Sequence, residues 1–235
     1  MFTEEALYYH NGLTLKGYIA RKNSEKAPIV LVAHAFRGQD DFARRKAESL
    51  ARLGYIGFAI DIYGEGRLAK NDEEAMALMT PLYRDRALLQ GRMKAAFDAA
   101  LAYSDKVGAI GFCFGGLAVI ELLRSGAPLS GGVTFHAVLK SEGATRVPIA
   151  PSIAGSLLIL HGNLDPQVSD EDISAIQNEL TEAGVDWQMH IYSNTYHAFT
   201  NPAMHRPELG KAYNALSDKR SWQAMKNFLK EILEK

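Results

Sequence analysis

Residues 107–116 read VGAIGFCFGG, and the fold turns on how that run is read. Val107 to Gly111 is a short apolar run suited to a strand, and FGGLAVIELLR from Phe114 suits a helix. Between them sits Cys113, the only cysteine in 235 residues, flanked by Phe112 and Phe114 and framed by Gly111, Gly115 and Gly116. A cysteine in an apolar stretch is ordinarily a small buried hydrophobe. Three glycines, however, would weaken a plain strand or helix. A strand that turns sharply into a helix does need them, because the two backbones approach closely there.

Working outward, strand and helix patterns alternate. Short β-rich runs occur at YIA, IVLVA (29–33), IGFAI (56–60), GVTF (132–135), SLLILH (156–161) and WQMHIY (187–192). Between them, apolar residues recur three and four apart. Ala43, Ala47, Leu50 and Leu53 form one face, and Leu89, Met93, Ala96, Phe97 and Ala100 another. Ile173, Ile176, Leu180 and Ala183 form a third, with Ser169 as N-cap, acids at 170–172 and Gly184 past the end. Trp222, Met225, Leu229 and Ile232 form the last. IVLVA and SLLIL are apolar on both faces, so helices cover both sides of a mostly parallel sheet of about eight strands. The first 20 residues turn at Asn11-Gly12 without a helix, which predicts an antiparallel hairpin at the sheet edge. No linker or repeat interrupts the chain, so residues 1–235 read as one α/β domain. The stretch from Gly64 to Pro81 reads as an irregular loop over the site.

Composition sets the class. Apolar content of 47% and charged content of 23% are those of a globular protein, and a net charge of -1 offers no basic footprint for nucleic acid. No apolar run reaches the roughly 20 residues that span a bilayer, and MFTEEALYYH is not a signal peptide. A lone cysteine cannot form an internal disulfide, which favours a cytoplasmic location. His34 and His161 end strands, but without H-x-H, H-E-x-x-H or a second cysteine no metal site is expected, and no cofactor.

In sheets of this kind ligands bind beyond the C-terminal strand ends, where GFCFGG lies. Its pattern, Gly111-x-Cys113-x-Gly115, is that of a nucleophile elbow, which calls for an acid and then a histidine later in the chain. Asp165 in HGNLDP follows SLLIL, and His197 in SNTYHAFTNP follows WQMHIY. His197 can take the proton of Cys113 while Asp165 holds the imidazole. The Phe114 N–H is one candidate oxyanion donor, and the second comes from HAFRG (34–38), where Phe36 is chosen. A phosphate cradle fits less well, since no G-x-G-x-x-G and no Lys-Ser/Thr follows.

With these residues identified, the sequence resembles the dienelactone hydrolase family, whose fold is the α/β-hydrolase fold. The resemblance runs through HAFRG, LARLGYIGFAIDIYGEG, VGAIGFCFGG, LLILHGNLDP and YHAFTNP, and its most specific part is the cysteine in the elbow. It implies hydrolysis of a small ester or lactone by Cys113, Asp165 and His197. Two positions depart from the family pattern. Ala35 stands where a glutamate is usual beside the nucleophile, and Asn201 where an arginine holds the substrate carboxylate; Arg206 is nearby but out of register. Arg37, Tyr63, Arg84, His136 and Phe199 are further candidates for substrate contact, and Arg86 could also face the pocket. Two other readings stay open: a fold that binds without turnover, and a redox-sensing thiol.

Overall fold

A computed structural model describes residues 1–23, 25–139 and 153–234. Strand β1 (Phe2–His10) and strand β2 (Leu13–Arg21) pair antiparallel, from Phe2↔Arg21 to His10↔Leu13. Asn11 and Gly12 close the hairpin with φ of 50° and 78°, the two left-handed residues that a tight hairpin turn requires. Next come β3 (Ile29–Ala33), helix α1 (Asp41–Arg52), β4 (Ile56–Ile60), α2 (Asp72–Arg84), α3 (Arg86–Ala100), β5 (Val107–Phe112) and α4 (Phe114–Arg124). Then follow β6 (Gly131–Phe135), β7 (Ser156–Gly162), α5 (Asp170–Glu182) and β8 (Trp187–Tyr192). The chain closes with β9 (His205–Arg206), a 3-10 turn (Pro207–Leu209), β10 (Lys211–Ala212) and α6 (Ala215–Leu233).

Eight strands form one sheet in the order β1-β2-β4-β3-β5-β6-β7-β8, parallel from β4 to β8, with the hairpin antiparallel at one edge. This is the α/β-hydrolase architecture expected from the sequence. The strand period of two splits the apolar residues between two layers. From β3, Ile29, Leu31 and Ala33 join Phe58, Met93, Phe97 and Leu117 on one face. Val30 and Val32 join Ala47, Leu50, Phe112, Met225 and Leu229 on the other. Helices therefore cover both faces, and β3, β4, β5 and β6 are buried along their whole length.

Two expectations are corrected. The stretch from Gly64 to Pro81 is only partly a loop, because α2 begins at Asp72. Asn71 caps it by accepting from the Glu74 N–H at 2.8 Å, and Asp72, Glu73 and Glu74 sit at its positive end. Pro81, which bounds the stretch read as a loop, lies inside this helix. Leu53 is the C-cap of α1 and stays 44% exposed, off the buried face of Ala43, Ala47 and Leu50.

Sheet register brings the site together. Ala33 at the end of β3 pairs with Gly111 in β5, so HAFRG and Cys113 emerge side by side.

Candidate active site

Cys113 takes φ 55° and ψ −116° between β5 and α4, a conformation that non-glycine residues seldom adopt. The turn survives because its surroundings over-determine it. The Cys113 N–H donates to Phe135 O at 3.0 Å, while its carbonyl accepts from Gly116 N at 3.0 Å and Leu117 N at 3.3 Å. The flanking glycines are required by contact. A Cβ on Gly111 would strike the Gly115 carbonyl, and one on Gly115 would strike the Ala33 and His34 backbone. A Cβ on Gly116 would come within 2.6 Å of the Ala137 Cβ. Strand, elbow and helix pack too closely for any side chain at these places.

Asp165 follows β7 and is held by its N–H to Gly162 O at 3.0 Å and by Gln167 N to its Oδ1 at 2.9 Å. His197 follows β8 after a short excursion and is fixed through its backbone, His197 N donating to Gly210 O at 3.0 Å and Ala212 N to His197 O at 3.1 Å. His197 Nδ1 donates to Asp165 Oδ2 at 2.7 Å, and both residues are buried. This leaves Nε2 for the partly exposed Cys113.

The charges reinforce one another. Burial pushes the Cys113 thiol up, but the His197 charge and hydrogen bond, the Phe114 N–H and the Lys211 charge outweigh it and hold the thiol below its ordinary value. Burial opposes the His197 cation, yet Cys113 and Asp165 raise its pKa to about 10. Both shifts favour a thiolate–imidazolium pair beside Asp165, and the titration belongs to the pair.

Phe114 opens α4 directly after Cys113, and its N–H favours the thiolate, while Phe36 lies in the loop that follows β3. The loop carrying Phe36 is braced from the segment after β4. Tyr63 OH donates to Phe36 O at 2.8 Å, His34 Nδ1 donates to Ala35 O at 2.7 Å, and Ile62 N donates to His34 Nε2 at 3.2 Å. These bonds fix His34 as the neutral Nδ1–H tautomer, and burial, its main influence, lowers its pKa. Tyr63 lies T-shaped to His34 at 4.6 Å and stacked with Phe114 at 6.0 Å. Asp61 anchors the next turn by accepting from Lys16 N, Gly64 N and Gly66 N at 2.7 to 3.0 Å.

The remaining candidates separate. Tyr63 and Phe199 are buried, and they support the two loops rather than presenting an open surface. His136 is buried too, its ring 5.0 Å from that of His197 and its Nε2 paired with Thr200 Oγ1 at 2.9 Å. Burial and then the His197 charge push its pKa well down, so it stays neutral. Arg37 is exposed and bonds Asp72 Oδ1 at 2.7 Å, away from the sulfur. Arg84 is exposed at the end of α2. Arg86 does not face the pocket. It is buried 3.7 Å from Glu121, which Arg124 and Gln90 also bind at 2.8 and 2.9 Å. Asn201 spends its Oδ1 on Ala203 N at 3.0 Å in a local turn. Nothing in the sequence marks Lys211, which a β-bridge sets beside His197.

Known proteins share this arrangement of elements. A solved structure named m3DLH is 38% identical, with TM-score 0.92 over 99% of this chain and 98% of that one. A dienelactone hydrolase-like promiscuous phosphotriesterase from metagenomic libraries is 34% identical, with TM-score 0.90 over the same shares. A protein of Aquifex aeolicus provisionally named a carboxymethylenebutenolidase is 26% identical over 95% of this chain and 96% of its own. The sequence profile of the dienelactone hydrolase family matches residues 15–233, and the chain accordingly belongs to that family of ester and lactone hydrolases.

Proposed function

We propose that the protein cleaves small esters or lactones through a Cys113 thioester, with His197 as proton carrier and Asp165 as its partner. The observation that carries this reading is the strained Cys113 backbone (φ 55°) beside a buried His197–Asp165 bond of 2.7 Å.

The Cys113 thiolate attacks the carbonyl carbon, and the electron pair of the C=O moves to oxygen. The Phe114 and Phe36 N–H groups stabilise that oxyanion. As the pair returns, the C–O bond to the leaving group breaks, and His197 Nε2 delivers its proton to the departing alkoxide. Water then gives a proton to His197 and attacks the thioester, expelling the thiolate and releasing the acid. Asp165 stays ionised throughout, holding the ring by Nδ1. Since Asn201 and Ala35 replace the arginine and glutamate of the family pattern, neutral esters and lactones are handled at least as well as carboxylated ones.

The test is turnover of nitrophenyl esters and a lactone panel by the purified protein, with mass spectrometry for an acyl adduct on Cys113. Full activity in Cys113→Ala overturns the mechanism. The low thiol pKa and partial exposure of Cys113 also suit a redox sensor. That reading gains if peroxide reversibly oxidises Cys113 and no ester in the panel turns over.

A further inference from the structure

A row of three basic side chains crosses the loop that carries His197. Strands β9 and β10 pair antiparallel with Lys211 opposite Arg206, and a parallel bridge sets Lys211 beside His197. Residues directly paired across a ladder project to the same side. Arg206, Lys211 and His197 therefore stand in one line from rim to nucleophile. Like charges placed opposite one another destabilise a ladder unless negative charge meets them. At the rim it does, since Arg206 lies 3.6 Å from Asp72 and 3.8 Å from Glu208. Among the described residues no carboxylate pairs with half-buried Lys211. What lies inward is the triad itself, which carries one net negative charge as thiolate, imidazolium and Asp165 carboxylate.

We infer that Lys211 is a positioning residue that supplies this missing charge, making the candidate site neutral and setting how much of Cys113 rests as thiolate. The inference rests on Cys113 being the nucleophile proposed above. The lowering of the Cys113 pKa by the Lys211 charge agrees with it. The other titratable and charged groups around the candidate site cannot do the same. Tyr63, His136 and His161 are neutral in the resting protein, because burial raises the Tyr63 pKa and lowers those of both histidines. Arg37 and Arg206 are engaged with Asp72 at the rim. Lys46 reaches His136 from the far side of the sheet and is itself paired with Asp218 at 4.0 Å.

The experiment measures the rate of Cys113 alkylation by neutral iodoacetamide against pH in the parent, Lys211→Arg, Lys211→Gln and Lys211→Glu. Melting curves identify any variant that does not fold. The apparent thiol pKa should rise in the order parent and Arg, then Gln, then Glu. At pH values below both apparent pKa values, Gln should be roughly twofold to fourfold slower than the parent, because the smaller thiolate fraction left by loss of one half-screened charge is partly offset by the more reactive thiolate. Profiles of Gln and Glu that superimpose on the parent overturn the inference. So does an Arg profile displaced as far as that of Gln, which would make Lys211 a matter of packing. Ester turnover by the parent is measured in parallel: its absence counts against the proposed hydrolysis, while the alkylation series judges Lys211 alone.

Discussion

Tyr63→Phe removes one oxygen from the brace behind the candidate oxyanion loop and nothing from the triad. The Tyr63 hydroxyl reaches that loop at 2.8 Å from the Phe36 carbonyl. The phenyl ring keeps its packing against His34 and Phe114. The stability lost is that of one neutral hydrogen bond, about 1 kcal/mol, which moves the melting temperature of a chain this size by about 2–4 °C. Catalysis should suffer more. Removing an oxyanion donor outright costs about 10²–10³ in kcat. Here the donor stays but its peptide is freed to rotate, so about a tenfold loss of kcat is expected with KM little changed. Steady-state ester hydrolysis and the iodoacetamide profile are measured together. The alkylation profile should stay within twofold of the parent, because His197, Lys211 and the Phe114 N–H are untouched. A kcat within twofold of the parent refutes the reasoning, since the Phe36 loop would then not be where transition-state charge is met.

Cys113→Ala and His197→Ala should each abolish nearly all hydrolysis, with the double variant little worse, because units of this kind are non-additive; Asp165→Asn should be severe but milder. The pH profile follows from two opposite shifts. The lowered Cys113 pKa gives a contribution to activity and stability that is lost as pH falls through it. The raised His197 pKa gives one that is complete below its unfolded value and lost as pH rises through about 10; a kcat/KM profile with no alkaline fall up to pH 11 contradicts this. Glu121→Gln breaks the buried ion cluster of Arg86 and Arg124 and should cost about 3 kcal/mol in urea unfolding, with kcat per folded molecule unchanged. A carboxylated lactone should not exceed its methyl ester by a hundredfold in kcat/KM, about 2.7 kcal/mol.

The elements and the three candidate residues could be read from the sequence for one reason: each is a local pattern. Strands such as IVLVA are apolar on both faces, and Gly111, Gly115 and Gly116 mark a turn that no other residue type permits. Cys113, Asp165 and His197 follow β5, β7 and β8 within a few residues of their ends, so chain order alone places them at the C-terminal ends of the strands. What stayed hidden depends on contacts between segments. The stretch from Gly64 to Pro81 reads as a loop, but α2 starts inside it, fixed by its Asn71 cap and acidic first turn. Strands β9 and β10 are two residues each, too short for any periodicity. Lys211 reaches the site only through its bridge to His197, and Tyr63 matters only through the Phe36 carbonyl. His136 is buried with a left-handed backbone (φ 40°), and its closeness to His197 (5.0 Å between rings) and its bond to Thr200 join segments far apart in the chain.

Ala35 explains how a resting thiolate could serve this site. Its methyl packs with the apolar layer that holds Phe112 and Phe135, and its carbonyl accepts from His34 and Gly38. The position that in the family pattern sets a carboxylate beside the sulfur thus carries no charge. The balance at Cys113 then falls to His197, the Phe114 N–H and Lys211, all of which favour the anion. A lower thiol pKa has two consequences that oppose each other. Per unit it removes a factor of about three from the intrinsic reactivity of the thiolate, given a Brønsted slope of about 0.4–0.5. It also raises the thiolate fraction nearly tenfold wherever the pH lies below the pKa. Population wins until the pKa falls below ambient pH, and past that point only the loss remains. An ordinary thiol near 8.5 stands well on the side where lowering helps at neutral pH. A partly exposed thiolate is also the form of cysteine that peroxide attacks, so the same low pKa serves the proposed hydrolysis and the redox reading alike.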